Sequence, residues 1–95
     1  MKVALAPEAL ADLTAIVEYL QERNPRAAAT TADGIFGVID RLAAREFDGP
    51  ECELRSTRER LRSWPVRPYR IYYRREDDTL VVLRIYHSAR RPIAK

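Results

Sequence analysis

The residues of this sequence that could do chemistry are two arginines and a histidine in its C-terminal half. Cleavage of RNA through its 2′-hydroxyl needs a base for that hydroxyl, an acid for the leaving oxygen, and cations for the charge that builds on phosphorus. Arg62 and Arg84 could form the cationic clamp on neighbouring strands, and His87 or Tyr86 could supply the proton at a strand end. A ribonuclease is therefore one hypothesis that the side chains permit.

The rest of the inventory argues against a complete nuclease site. The carboxylate base would have to be Glu59 or Glu53, both in a loop. Alternation along a strand puts Arg84 and Tyr86 on one face and His87 on the other. A single histidine near a strand end is more often a hydrogen-bonded structural residue than a catalyst. The residues alone therefore favour a protein without a catalytic site.

Arg84, Tyr86 and His87 lie on a predicted β-hairpin, with strands at residues 69–75 and 80–87 around a polar turn. Alternate positions predict a core face that carries Tyr69, Ile71, Tyr73, Val81, Leu83 and Ile85. The opposite face collects Arg70, Tyr72, Arg74, Arg84 and Tyr86, diluted only by Leu80 and Val82. Arginines interleaved with tyrosines suit phosphates, bases or an acidic partner, so we predict a target-binding surface here, continued by Arg90 and Arg91. The alternative is the solvated outer face of an antiparallel sheet.

Charge is unevenly distributed along the chain. Residues 1–53 hold 5 Lys/Arg against 10 Asp/Glu, and residues 54–95 hold 12 against 4, so the halves carry −5 and +8. A positive half is the electrostatic pattern expected for binding nucleic acid, the ribosome or an acidic protein. The alternative is that the acidic helices neutralise the basic sheet within the same molecule.

Several classes of protein do not fit this composition. No apolar run approaches the roughly 20 residues of a membrane span, and no secretory signal follows Met1, so we expect a cytoplasmic protein without a membrane partner. Cys52 is the only cysteine and His87 the only histidine, which rules out an internal disulfide and a Cys/His zinc site. We expect no metal and no other cofactor.

The elements that must position the hairpin are a short strand and two helices. Residues 2–6 predict the strand, and apolar spacings of three and four predict helices over about 7–23 and 25–44, with Asn24-Pro25 between them. The first helix shows a stripe of Leu10, Leu13, Val17 and Leu20, and the second a buried side of Ala28, Ala32, Ile35, Phe36, Ile39 and Leu42. Residues 45–60 predict a long exposed connection, and residues 61–66 a strand in which Pro65 indicates an edge or bulge.

The order is strand, αα-hairpin and three-stranded antiparallel β-meander within one domain of 95 residues. Both helices must cover the same face of the sheet to bury their apolar stripes. We therefore predict an α+β fold with the helices packed on one face of the sheet and the arginine-rich face left open.

This order, together with the segments at residues 61–66, 69–74 and 83–90, resembles the ParE branch of the ParE/RelE toxin superfamily over nearly the whole chain. The resemblance implies the toxin of a bacterial type II toxin-antitoxin module, which arrests growth and is neutralised in a hetero-oligomer with a ParD-like antitoxin. ParE-like toxins inhibit DNA gyrase and take part in plasmid stabilization, whereas RelE-like toxins cut messenger RNA on the ribosome.

Three hypotheses follow from this comparison. The first is a non-catalytic gyrase inhibitor, the second a ribosome-dependent ribonuclease that uses Arg62, Arg84 and His87, and the third a non-toxic binding module. In each case we predict that the antitoxin covers the apolar groove of the helix hairpin, near Leu13, Val17, Leu20 and Ile35.

Overall fold

The computed structural model describes residues 1–53 and 59–88. These residues fold in the predicted order of strand, two helices and a sheet, which confirms the α+β class. The elements are β1 (Lys2–Leu5), α1 (Pro7–Arg23), α2 (Pro25–Ala43), β2 (Glu51–Glu53), β3 (Arg60–Val66), β4 (Tyr69–Glu76) and β5 (Thr79–His87).

The two helices begin and end where the polar punctuation of the sequence predicts. Pro7 lies in the first turn of α1, where its missing N–H leaves no hydrogen bond unmade. Asn24 ends α1 and caps α2, because its side-chain oxygen accepts a hydrogen bond of 3.2 Å from the Ala27 amide. Pro25 then opens α2, so the chain reverses within one residue. Neither described helix combines the length and apolar character that crossing a membrane requires.

The sheet has five strands in the order β1-β5-β4-β3-β2. β1 runs parallel to β5, and every other neighbouring pair is antiparallel. β1 pairs only with the first part of β5, from Lys2 opposite Thr79 to Leu5 opposite Val82. After Leu5 the chain turns into α1, so β5 continues past the end of β1 from Leu83 to His87. Among the described residues, this overhang has no strand beside it on the β1 side.

The connection after α2 is more ordered than predicted. We expected an exposed connection over residues 45–60, but Glu51–Glu53 pairs with β3 as a short outer strand, with Cys52 opposite Leu61. Three residues with two charges carry too little pattern to indicate a strand. Pro65 lies on the part of β3 beyond the pairing with β2, where its missing N–H does not interrupt a ladder.

Of the three β5 residues assigned to the core, two were wrong. Val81 and Leu83 are not the core residues; Leu80 and Val82 are, each with no exposed surface, while Ile85 is buried as predicted. The cause is a β-bulge, because Tyr72 lies opposite Arg84 but Tyr73 lies opposite Val82, which leaves Leu83 as an extra residue. One extra residue exchanges the two faces of the strand on one side of the bulge.

The core lies between the helices and one face of the sheet. Its buried apolar residues include Ala9, Leu13, Ile35, Ile39, Leu42, Ile71, Tyr73, Leu80, Val82 and Ile85. Leu10 and Phe36, which we predicted to be buried, are 54% and 43% exposed. The buried stripe of α1 is therefore rotated from Leu10 toward Ala9. A Cβ atom placed on Gly37 would meet no other atom within 4 Å, so close packing does not require a glycine there.

A polar network fastens the loop after α2 to the sheet. The Tyr73 hydroxyl donates to the Asp48 carboxylate and accepts a hydrogen bond of 2.8 Å from the Gly49 amide. Arg75 bridges Asp48 and the Leu42 carbonyl, each at 2.8 Å. Burial and the hydrogen bond to Asp48 raise the pKa of Tyr73 to about 12. Burial alone would raise the pKa of Asp48, but the hydrogen bonds from Tyr73 and Arg75 outweigh it and lower that pKa.

Candidate functional site

A groove of about 650 Å³ runs between α1 and the overhang of β5. One wall is apolar and aromatic, and the other mixes aromatic rings with a guanidinium. The groove is lined by Ile16, Tyr19 and Leu20 from α1 and by Arg84, Tyr86 and His87 from β5. A cavity of this size is typical of binding sites for small ligands or for a few side chains of a partner.

Asp12 and Arg84 join the two walls of the groove. Nε and Nη2 of Arg84 donate to the two carboxylate oxygens of Asp12 at 2.8 and 3.0 Å, and the Ile85 amide donates to the same carboxylate at 3.0 Å. The hydrogen bond to Asp12 raises the pKa of Arg84, so its charge is fixed. The guanidinium carbon also lies 4.1 Å from the centre of the Tyr86 ring. Arg84 is therefore held by contacts within the protein.

His87 contacts an aromatic ring at the end of the same groove. Its ring meets that of Tyr69 edge-to-face, with centroids 5.5 Å apart. His87 and Tyr69 are opposite each other in the β4–β5 ladder, so both project toward the helices. His87 therefore lies on the face of the sheet that carries the helices, opposite the face of Tyr72. His87 and Arg84 share the groove, as the nuclease hypothesis requires of two of its three residues.

The third residue of that hypothesis, Arg62, lies elsewhere. Arg62 is opposite Tyr73, four residues along β4 from the position opposite His87, which places the two Cα atoms roughly 16 Å apart. Its Nη1 donates to the Gly49 carbonyl at 2.8 Å, and its Nε lies 3.4 Å from Asp48. Arg62 therefore supports the loop after α2. The structure does not bring the three predicted catalytic residues together.

The carboxylates considered as a base are also away from the groove. Glu59 forms an ion pair with Arg74 on the open face of the sheet. Glu53 ends β2, the strand at the opposite edge of the sheet from the groove. Within residues 1–53 and 59–88, a cleavage site of the predicted composition is not assembled.

Several of the predicted target-binding residues are engaged or buried within the protein. Arg74 pairs with both Glu59 and Glu76, and Nη1 of Arg70 donates to the Ser63 hydroxyl at 2.8 Å. Tyr72 is only 6% exposed, and its burial raises its pKa. Much of the positive charge of the sheet is thus balanced by acidic groups of the same molecule.

Four members of the predicted surface remain partly accessible, namely Arg70, Arg74, Arg84 and Tyr86. Arg70 and Tyr86 are opposite each other in the β4–β5 ladder and are half-buried. The Tyr86 ring also contacts Tyr72 edge-to-face, with centroids 6.5 Å apart. Arg90 and Arg91 lie outside the described residues.

The predicted antitoxin-binding residues divide into two groups. Leu13 is 6% exposed and Ile35 fully buried, so both belong to the protein's own core. Val17 packs partly against that core, and Leu20 lines the groove beside β5. Of the four predicted residues, only Leu20 lines the groove.

Sequence reasoning missed Asp12, which the helix pattern marks only as a charge near the start of α1. A signal was present, because Asp12 precedes Ile16 and Tyr19 by four and seven residues and therefore shares their side of the helix. A carboxylate next to an apolar stripe indicates a buried partner. Its partner lies 72 residues away, which no local pattern specifies.

Comparisons with known proteins agree with the fold. The family model described as the ParE toxin of the type II toxin-antitoxin system, parDE, matches residues 3–92. A solved structure, the chromosomal ParDE TA system from P. aeruginosa, has a similar fold with a TM-score of 0.70 at 23% sequence identity. The alignment covers 92% of this chain and 95% of that one. A search of curated proteins found no sequence that matches this chain.

Proposed function

The chain belongs to the ParE toxin family of type II toxin-antitoxin systems, and from this membership we propose that it is a toxin that inhibits DNA gyrase. It acts in the cytoplasm, arrests growth when it is free, and is neutralised by a ParD-like antitoxin in a hetero-oligomer. Such a pair would contribute to plasmid stabilization where a plasmid carries it. The family match over residues 3–92 is the observation that carries this proposal.

The geometry of the arginines favours inhibition by docking over RNA cleavage. Arg62 and Arg84 are each engaged by a carboxylate, and they lie in different parts of the sheet. A clamp for a phosphate in a transition state needs cations that converge on one point. Arginines that fasten a loop and a helix instead form a rigid scaffold for a binding surface.

The proposed gyrase-binding surface is the face of the sheet opposite the helices. Arg70 and Tyr86 supply its accessible centre, and the Tyr72 ring packs against that of Tyr86. Arg74 adds a charge that is paired with Glu59 and Glu76. Arg90 and Arg91 extend it in the sequence. Arginine and tyrosine are favoured at protein interfaces, because both combine a large contact area with hydrogen-bond donors.

The experiment is plasmid supercoiling by purified gyrase, with and without this protein, beside an RNA cleavage assay on translating ribosomes. We expect supercoiling to be lost, cleaved DNA to accumulate and RNA to stay intact. Arg70→Glu should weaken the inhibition, whereas Arg26→Glu, an exposed site on α2, should not.

Two results would contradict the proposal. Intact supercoiling with cut RNA would make the protein a ribosome-dependent ribonuclease and would turn attention to Arg84 and His87. No effect in either assay, together with normal growth on strong expression, would indicate a non-toxic binding module.

A further inference from the structure

Arg70 differs from the other three arginines of the β4–β5 hairpin. Each of those three lies within ion-pair distance of a carboxylate of the protein: Arg74 of Glu59 and Glu76, Arg75 of Asp48, and Arg84 of Asp12. Among residues 1–53 and 59–88, Arg70 has no such carboxylate, and the one hydrogen bond that its side chain makes runs to Ser63. Its charge is therefore balanced by no neighbouring acid on the face of the sheet opposite the helices.

Ser63 holds one end of the Arg70 guanidinium. Nη1 of Arg70 donates to the Ser63 hydroxyl at 2.8 Å, and Ser63 is 4% exposed. Ser63 lies opposite Tyr72 in the β3–β4 ladder, so this bond joins residues that are diagonal neighbours on two strands. Nε and Nη2 of Arg70 have no hydrogen bond among the described residues, and neither nitrogen is buried. The guanidinium is thus fixed at one end and open to a partner along the side formed by Nε and Nη2.

Tyr86 lies beside this open guanidinium. Tyr86 and Arg70 are opposite each other in the β4–β5 ladder, and side chains in such a pair are close enough to contact the same group. The Tyr86 ring has two neighbours, because the guanidinium carbon of Arg84 lies 4.1 Å from its centre and the Tyr72 ring meets it edge-to-face. Tyr86 and Arg70 are both half-buried, so each loses less conformational entropy on binding than a fully exposed side chain would.

The balance of charge around Arg70 selects a single carboxylate over a nucleic-acid backbone. A protein that follows such a backbone uses several unpaired cations, one for each phosphate that it neutralises. On the face opposite the helices, Arg74 and Arg84 already contact carboxylates, which leaves Arg70 as the unpaired strand arginine of that face within the described residues. One planar guanidinium binds a carboxylate through two parallel N–H···O bonds and needs no second cation. The chemistry therefore favours an aspartate or glutamate side chain of a protein over a run of phosphates.

We propose that Arg70 binds the carboxylate of an aspartate or glutamate on the gyrase protein, with Ser63 as the residue that positions its guanidinium and Tyr86 as its neighbour in the contact. This inference rests on the proposed function, because it specifies the chemistry of the partner at the gyrase-binding surface. Ser63 is buried and bonded to Arg70, so it acts through Arg70 and does not touch the partner.

The first experiment measures the affinity of the full chain for purified gyrase without DNA and for a DNA duplex alone. Arg70→Met should weaken binding to gyrase at least tenfold, because it leaves the partner carboxylate without its cation. Arg70→Lys should lose nearly as much affinity, since a lysine cannot form the two parallel bonds. Arg26→Met removes an exposed arginine from α2 and should bind gyrase like the unchanged chain. Binding to the duplex should be weak and equal for all four proteins.

Ser63→Ala tests the positioning role. It should weaken binding to gyrase about threefold to tenfold in the unchanged background, because the guanidinium is no longer held at one end. In the Arg70→Met background the same change should have no further effect on affinity. An equal loss in both backgrounds would reflect a general disturbance of the sheet and would overturn the positioning role. Thermal midpoints measured in parallel check that each variant is folded.

A charge exchange identifies the partner carboxylate. Surface aspartates and glutamates of gyrase are replaced one at a time by lysine, and each gyrase variant is titrated with the Arg70→Glu protein. One such lysine should restore binding to Arg70→Glu and weaken binding to the unchanged chain at least tenfold.

Three results would overturn this inference while leaving the proposed function in place. The first is an unchanged affinity of Arg70→Met for gyrase, and the second is the absence of any gyrase variant that restores binding to Arg70→Glu. The third is binding that occurs only when gyrase carries DNA, which would assign Arg70 to a phosphate. If the unchanged chain binds gyrase neither with nor without DNA, the proposed function fails as well.

Discussion

Removal of the Asp12 carboxylate should destabilise the fold more than any other single charge change on α1. The carboxylate accepts three hydrogen bonds, from two nitrogens of Arg84 and from the Ile85 amide. Its side chain is 15% exposed and that of Arg84 is 30% exposed, so solvent screens the pair only in part. Hydrogen bonds to charged groups contribute about 1.5–3 kcal/mol each before screening, and they are not additive. We expect Asp12→Ala to lower the free energy of unfolding by about 2–3 kcal/mol.

This loss is large enough to measure by thermal or urea unfolding. In a chain of 95 residues, each kcal/mol lost from the free energy of unfolding lowers the midpoint of thermal unfolding by roughly 4–8 °C. For Asp12→Ala the thermal midpoint should therefore fall by about 10–20 °C. Asp12→Asn keeps an acceptor for the Ile85 amide and should lose about half as much free energy. Glu22 is the matched control, because it lies on the same helix in a pair that is 80% and 55% exposed. Glu22→Ala should have no measurable effect.

A double-mutant cycle separates the ion pair from the loss of the Ile85 hydrogen bond. The cycle combines Asp12→Ala with Arg84→Met, which keeps the aliphatic part of the arginine. We expect a coupling energy of about 1.5 kcal/mol between the two changes. A coupling below about 0.5 kcal/mol would refute the reasoning, because the pair would then behave like an ordinary surface salt bridge.

Two further perturbations test the loop network and the helix packing. Gly49→Ala should lower the free energy of unfolding by more than about 3 kcal/mol or prevent folding, because the added Cβ would lie 1.8 Å from the Ser63 carbonyl oxygen. Gly37→Ala should raise the free energy of unfolding by about 1 kcal/mol, because its Cβ would meet no atom within 4 Å. The midpoints of urea unfolding compare the two variants. An undiminished midpoint for Gly49→Ala would contradict the close backbone approach. The pKa of Tyr73 is raised from about 10 to about 12, so the stability it contributes is complete below pH 10 and is lost as pH rises through 12. In Tyr73→Phe, the free energy of unfolding should therefore depend less on pH between pH 10 and 12. An unchanged dependence on pH would show that Tyr73 is not its source.

The order of the elements could be predicted because each has a strong local signal. Pro7 and Asn24-Pro25 mark the helix boundaries, and the hairpin strands are long and rich in β-branched and aromatic residues. The inward face of β5 could not be predicted, because residues 80–83 are all apolar and either alternation buries two of them. Only the bulge at Leu83 decides between the alternatives, and it depends on pairing with β4.

The groove was harder to predict from the sequence than the fold. It depends on the length by which β5 exceeds β1 and on the pairing of Asp12 with Arg84, and both are relations between distant parts of the chain. Composition indicated an arginine-rich face but not which arginines have carboxylate partners. The charge of Arg74, for example, is balanced by Glu76, two residues away on the same strand.

The parallel pairing of β1 with β5 has a consequence for the order in which the molecule folds. Lys2 lies opposite Thr79 and Leu5 opposite Val82, so the first strand cannot join the sheet until residues 79–82 have left the ribosome. The αα-hairpin depends on contacts close in sequence and can form early, whereas closing a loop of more than seventy residues is slow. A chain built in this way completes its sheet only after β5 has been synthesised, when its helices can already be in place.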